Sequence, residues 1–534
     1  MSAHSDEPDS ENRNVTRAAG VVGAATLLSR IFGYLRDMVV ASFFGAGMAA
    51  DAFITAFRLP NLLRRLFGEG SLSIAFVPVF TETLIRGDRE NACRLAISAL
   101  KLLLLVLMVV TLAGILAAPW IIRVIAPGFA VSPEKLALTI TLTQVMFPYI
   151  VFIGLVALCM GILNVMGHFA APAIAPVLLN VAMIGAVVTV SWFSETETVR
   201  IMGLAVGVLI GGALQLALQL PYLVRYGIRF WKRSGLWHPA MKQVGLLMLP
   251  TIFGAAVYQI NILMSNLLAS LLAEGSISYL YYADRLIQFP LGIFAQAAAT
   301  AVLPALSRQC ATKDMTGAGD TFSYALSLVL FITLPAMAGL IVLRDPIVTL
   351  LFGRGAFDAR TTQLTADAVL YYCVGLWAFS AVRIVVSVFY AFQDTRTPVR
   401  TAAVSIAVNI LLGIILMGPM GHCGLALATS IASMVNLVML VYVLKKRLGT
   451  IHWQRISISA GKTLLASALM AAAVTGLFRL MMPGTGAAGT LRLLLALGVS
   501  IGSGVGIFSL AAWMLKIPEW RQMTRLIEKR LLRS

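Results

Sequence analysis

What this chain can fold into is set first by its apolar runs. Predominantly apolar stretches of 20 or more residues recur from end to end, the first being VVGAATLLSRIFGYLRDMVVASFFG. Each is long enough to cross the roughly 30 Å hydrocarbon core of a bilayer. Within lipid, every backbone N–H and C=O must be satisfied inside its own segment, so repeated spans of this kind mean helices. Only 12% of the 534 residues are charged, against about 25% in a soluble protein. The expected fold class is an all-α polytopic membrane protein. Polar and Gly/Pro breaks predict 14 transmembrane helices, starting near residues 18, 50, 97, 136, 172, 199, 241, 276, 320, 361, 399, 421, 459 and 490.

A net charge of +18 invites a nucleic-acid reading, so the location of the basic residues matters. With both termini inside, most Lys and Arg fall in segments that would be cytoplasmic, including RYGIRFWKR (225–233), KKR (445–447) and the tail RQMTRLIEKRLLRS (521–534). That asymmetry is the positive-inside rule. Topology and contact with anionic membrane lipids account for the charge, and no nucleic-acid partner is needed. The opening residues MSAHSDEPDSENRN are acidic and polar, unlike a signal peptide, and read as a cytoplasmic tail.

The chain also repeats itself. AFRLPNLLRRLFGEGSLSIAFVP (56–78) parallels ADRLIQFPLGIFAQAAATAVLP (283–304), with Arg58 matching Arg285, Phe67 matching Phe294 and Pro78 matching Pro304. Pro119 likewise matches Pro346, and GLAVGVLIGGALQLALQLPYLVR (203–225) matches GLALATSIASMVNLVMLVYVLKK (424–446). The offsets lie between 221 and 227 residues. Five matches in order at nearly one spacing predict a duplication: two six-helix lobes in parallel pseudo-repeat plus two C-terminal helices. The corresponding organisation is a tail at 1–16, an N-lobe at 17–232, a C-lobe at 233–450, and a final helix pair with its basic tail at 451–534. Transporters built this way place the substrate near the bilayer midplane at the repeat interface and work by alternating access. A monomer suffices for such a site.

Chemistry of other kinds has little support. There is no P-loop, H-E-x-x-H or G-x-S-x-G motif, so neither ATP hydrolysis nor a covalent intermediate is expected. Cys93, Cys159, Cys310, Cys373 and Cys423 form no C-x-x-C pair, and no metal or cofactor is expected.

The unusual feature is charge inside the spans. Arg30, Arg36, Arg58, Arg64, Arg65, Arg285 and Arg383 face only Asp37, Asp51, Glu69 and Asp284. An arginine or aspartate at a helix centre costs roughly 2.5–3.5 kcal/mol, so the first span alone would lose about 8–10 kcal/mol if its three charges faced lipid. At 100° per residue Arg30 and Asp37 share a face, with Arg36 about 120° away. In the second span Asp51, Arg58 and Arg65 recur every seven residues, with Asn61 and Glu69 close to the same stripe. Pro60, Gly68 and Gly70 predict that this span bends or unwinds. Internal salt bridges and snorkelling account for some of these charges. Seven cations against four anions still leave a surplus of three. A diphosphate suits that surplus, because guanidinium forks match phosphate oxygens in a bidentate way.

With those residues placed, LLSRIFGYLRDMVVASFFGAGMAADAFITAFRLPNLLRRLFGEGSLSIAFVPVF resembles the N-terminal signature of the MurJ (MviN) family, the lipid II flippases of bacterial peptidoglycan synthesis. YYADRLIQFPLGIF (281–294) and FYAFQDTRTPV (389–399) resemble further family motifs. The resemblance spans nearly the whole chain. It implies the fold of the multidrug/oligosaccharidyl-lipid/polysaccharide exporter superfamily, an inner-membrane location, and lipid II as the partner. Contact with the cell-wall synthesis machinery fits such a substrate. By the same resemblance Arg30, Arg36, Arg64 and Arg285 match cavity arginines, Asp37, Asp51 and Glu69 match acidic motif positions, and the last two helices form a groove for the polyprenyl tail. Gln288 departs from the pattern, being an amide where some relatives carry an acid. A flippase for another polyprenyl-diphosphate-linked glycan would use the same arginines. A cation-coupled drug antiporter would need a net acidic cavity, and a scaffold would need no buried arginine.

Overall fold

The computed structural model describes residues 7–65, 72–86, 89–231, 235–448, 451–482 and 489–531, with side chains at 7–19, 73, 249–258 and 526–531 excepted. All regular structure among the described residues is helical. The chain divides into two compact units, Met1–Glu274 and Gly275–Ser534.

The first unit contains α1 (Glu7–Phe44), α2 (Met48–Leu63), α3 (Leu72–Ile85), α4 (Arg89–Ile125), α5 (Pro133–Met146), α6 (Tyr149–Val165), α7 (Ala170–Phe193), α8 (Glu197–Arg225) and α9 (Met241–Ser270). Its core joins Phe44 of α1, Phe53 of α2, Met146 of α5, Tyr149 of α6, Met183 of α7 and Val208 of α8. The α7–α8 seam is the most extensive in the unit. Gly203, Gly207 and Gly211 recur every fourth residue of α8 and let it settle onto α7. A Cβ added at Gly207 would lie 2.7 Å from Ala186 Cβ and 3.2 Å from the Ala182 carbonyl oxygen. Small residues at such spacing let helices pack in lipid, where no hydrophobic force drives them together. On α4 the opposite pattern appears: Leu105, Val109, Leu112 and Leu116 form an exposed apolar stripe suited to acyl chains.

The second unit contains α10 (Ser276–Pro290), α11 (Gln296–Ala311), α12 (Met315–Val342), α13 (Arg344–Phe352), α14 (Ala359–Cys373), α15 (Leu376–Ala391), α16 (Arg396–Met420), α17 (His422–Leu448), α18 (Trp453–Met481), α19 (Thr490–Met514) and α20 (Pro518–Leu531). The final helices pack through Met470, Val474, Leu497 and Phe508 against Phe331 of α12.

The duplication is visible in the order of the breaks. α2, α4, α5, α6, α7 and α8 start 225 to 228 residues before α10, α12, α14, α15, α16 and α17. α9 ends 226 residues after α1 and is its counterpart, yet it packs within the first unit against α3 and α4. The repeat extends to a detail of the backbone. Arg64 and Arg65 lie on a widened π-type turn, and the equivalent Leu291–Ala295 is a π-helical segment. The expected bend after Pro60 is therefore partly in view, while Gly68 and Gly70 lie outside the described residues.

Among the described residues, 10 helices are long and apolar enough to cross a membrane, or 11 if the bent pair α14–α15 is one span. Fourteen are expected from the sequence. The further spans expected from the sequence fall on α1, α2–α3 and α9, which do not meet that measure among the described residues. α1 carries Arg30, Arg36 and Asp37, which lower its apolarity. α2 and α3 are short pieces on either side of residues outside the described set. The side chains of 249–258 in α9 are likewise outside it.

Candidate functional site

The charged residues of α1 and α2 do not share one environment. Arg30 is exposed, and no hydrogen bond or ion pair involves it among the described residues. Asp37, seven residues on, is buried at 3% exposure. Placement on one helical face therefore does not give the pair a common partner.

Arg36 is buried beside it. Its Nε donates to Asp37 Oδ1 at 3.0 Å, its second ω-nitrogen donates to the same oxygen at 2.6 Å, and its first donates to Asn180 Oδ1 at 3.1 Å. Asn180 sits mid-α7 and is itself anchored, its amide donating to the carbonyls of Pro176 at 3.2 Å and Ser29 at 3.4 Å. The guanidinium plane is thereby fixed from two helices. A charged donor held this way costs no reorganisation when an anion arrives.

Asp51 has a different partner. Its Oδ2 lies 2.8 Å from Lys135 Nζ, and the two side chains are 2% and 9% exposed. Lys135 also lies 4.4 Å from the centre of the Phe129 ring. This pair links the first turn of α2 to the first turn of α5. The expected fourth span starts near residue 136, one position past Lys135, so the sequence count leaves this cation among the loops. Including it raises the cationic surplus by one charge.

Farther along α2, Arg58 donates to the Ile262 carbonyl of α9 at 3.3 Å. Arg64 Nε donates to Asn61 Oδ1 at 3.0 Å, and Arg65 is half-buried. Glu69 lies outside the described residues. Asn266 of α9 ties this region together. Its Oδ1 accepts from the Thr55 hydroxyl at 3.5 Å and its amide donates to the Ile125 carbonyl at 3.1 Å.

In the second unit Arg285 donates to the Tyr281 hydroxyl at 3.2 Å, with its guanidinium 5.3 Å from that ring's centre. Asp284 and Gln288 are exposed, and the Gln288 amide donates to Asp284 Oδ1 at 3.4 Å. Arg383 donates to Gln296 Oε1 at 2.7 Å, joining α15 to α11. Sequence reasoning missed Asn180, Lys135 and Gln296. The signal for the two amides was a polar residue inside an apolar run, PVLLNVAMIG and IFAQAAATA.

Among the described residues, Arg36 and Arg64 of the first unit and Arg285 and Arg383 of the second are each held by a polar side-chain partner. No group of three or more His, Cys, Asp or Glu able to hold a metal occurs among the described residues. Guanidinium groups are by their chemistry suited to recognising anions.

Comparison with known proteins agrees. The family model described as Lipid II flippase MurJ matches residues 40–496. A probable lipid II flippase MurJ of Vibrio cholerae is 38% identical over 437 residues, covering 80% of this chain and 82% of that protein. The lipid II flippase MurJ of Burkholderia cenocepacia is 36% identical, covering 81% and 84%. A solved lipid II flippase MurJ in an inward closed conformation superposes with a TM-score of 0.77 at 28% identity, covering 92% of this chain and 99% of that one. An inward-facing multidrug resistance transporter of the MATE family superposes at 0.67 with 15% identity, covering 81% and 98%, and shares the fold. Helix order, intramembrane arginines and these similarities converge: the chain belongs to the MurJ family of lipid II flippases.

Proposed function

We propose that this chain moves lipid II, the undecaprenyl-diphosphate-linked peptidoglycan precursor, from the cytoplasmic to the periplasmic leaflet of the bacterial inner membrane by alternating access. It spans the membrane fourteen times with both termini cytoplasmic. The observation that carries the reading is Arg36, buried in an apolar helix and oriented by Asp37 and Asn180. A permanently charged side chain is expensive there and is retained where an anion must be met. Arg36, with Arg30, Arg64 and Arg285, binds the diphosphate; Asp37 and Asn180 position it. Arg58, Arg65 and Arg383 add to the positive field, while Asp51, Glu69 and Asp284 balance it locally and Asn61 and Gln288 orient their neighbours. No nucleotide motif exists, so transport draws on an ion gradient, the membrane potential or downstream consumption of the product.

The test is depletion of the protein in its host, with lipid II accessibility measured on the periplasmic face. Wild type restores exposure, whereas an Arg36→Ala protein present at wild-type levels loses about tenfold or more in rate, as expected for a lost charged hydrogen-bonding contact. Undiminished lipid II exposure on depletion would overturn the flippase reading. Full rescue by Arg36→Ala would overturn the role of the arginine alone.

A further inference from the structure

A cavity of about 360 Å³ opens where α18 meets the corner between α19 and α20, lined by His452, Arg455, Ile458, Ser459, Lys462 and Pro518. Its volume falls at the lower end of the range for small-ligand pockets. The site is built by specific contacts. After Met514 the chain turns through Lys516 at φ 53°, with Ile517 N–H returning to the Ala512 carbonyl at 3.0 Å. This is a Schellman-type stop with lysine in the left-handed position that usually takes glycine. Two side chains then fasten the corner to α18. Ser459 donates to the buried Glu519 at 2.6 Å, and Lys462 Nζ donates to the Leu515 carbonyl at 2.9 Å.

The lining is basic, with Arg455 and Lys462 and no carboxylate among its residues. The adjacent Glu519 accepts from Ser459, and Asp320 lies 2.7 Å from His452 Nε2. Arg455 is exposed, and no hydrogen bond or ion pair involves it among the described residues. Lys516, Arg521 and Arg525 are exposed on the adjoining corner and helix.

Position and shape identify the occupant. α18 and α19 are both apolar enough to span a membrane. The cavity lies where one begins and the other ends, which is headgroup level. Along α18, Arg455, Ile458, Lys462, Leu465 and Leu469 follow one helical face, charged near the end and apolar toward the middle. Leu465 and Leu469 are each 52% exposed. A soluble anion would use only the charged end of that stripe, whereas a lipid uses both. We propose that this cavity binds the phosphodiester headgroup of an anionic membrane phospholipid through Arg455 and Lys462, with an acyl chain lying along Leu465 and Leu469. Basic pockets between membrane helices are suited to such headgroups. The proposal does not depend on the transported substrate.

The probe is phosphatidylglycerol added to the delipidated, detergent-purified full chain, with bound lipid counted by native mass spectrometry. Arg455→Glu is the informative variant, because no contact holding the fold together is lost. We expect its affinity for one tightly bound phosphatidylglycerol to fall by at least about fivefold, the effect of one basic residue near an anionic surface. Glycerol 3-phosphate, which lacks acyl chains, should fail to displace that lipid. Equal binding by wild type and Arg455→Glu would overturn the proposal. Displacement by glycerol 3-phosphate would assign the cavity to a soluble phosphate instead, and selective displacement by undecaprenyl diphosphate would assign it to the substrate.

Discussion

Removing one partner of the Asp51–Lys135 pair should damage the protein far more than removing both. At 2.8 Å the Coulomb attraction is about 6 kcal/mol with an effective dielectric near 20. Taking two ions out of water costs several kcal/mol each, so the intact pair contributes little net stability. A lone buried charge is different: truncating one partner of such a pair costs about 3–5 kcal/mol. Asp51→Asn and Lys135→Met should each lower the thermal midpoint of the purified protein sharply. The double variant should recover most of the loss, because neither charge remains to be solvated. Thermal unfolding in detergent, run as a double-mutant cycle, measures the coupling. Additive losses would refute the reasoning. Transport by the double variant then separates two roles for Asp51. If the carboxylate serves only to neutralise Lys135, the doubly neutral protein flips lipid II, whereas a direct role leaves it folded and inactive.

Asn180→Leu removes the acceptor on Arg36 and the donors to two carbonyls; it should cost about 1–3 kcal/mol of stability and slow transport with Arg36 still present, read in the periplasmic exposure assay. Gly207→Val forces α7 and α8 apart and should destabilise by about 1–3 kcal/mol. Gly185→Ala, whose added Cβ meets nothing within 4 Å, should be neutral or slightly stabilising in the same thermal assay. Asp394, in the connection between α15 and α16, is held below its ordinary carboxylate value of 3.8 first by the Thr397 hydroxyl, then by backbone N–H groups and Arg447. A depressed carboxylate stabilises the fold above its unfolded value and loses that contribution as pH falls through the folded value. Asp394→Asn should therefore be less stable than wild type at neutral pH, and the gap should close as pH drops below about 4.

The helical architecture was legible because hydropathy acts locally, and each apolar run reports its own span. The duplication was legible for the same reason: Arg58 and Arg285 stand in matching local contexts. Partnerships were not. Asn180 lies 144 residues from Arg36, and Lys135 lies 84 from Asp51, and nothing in either local segment names the other. Charge counting also favoured carboxylates as partners for arginine, so neutral acceptors such as Asn180, Gln296 and the Ile262 carbonyl were overlooked. Seven-residue spacing on α2 was real in sequence, yet Asp51 and Arg58 reach different neighbours because α5 and α9 cover different lengths of that helix.

The widened turns at Arg64–Arg65 and Leu291–Ala295 carry a mechanical consequence. A π turn holds one residue more than an α turn, so each copy stores a residue of slack partway along an arginine-bearing segment. Taking up that slack rotates the flanking backbone by about 100°. In the first unit, such a step would swing Arg64 to a new azimuth while the glycine seam between α7 and α8 stays closed. Both copies of the repeat carry this widened turn at the same register, one at Arg64 itself and the other six residues past Arg285.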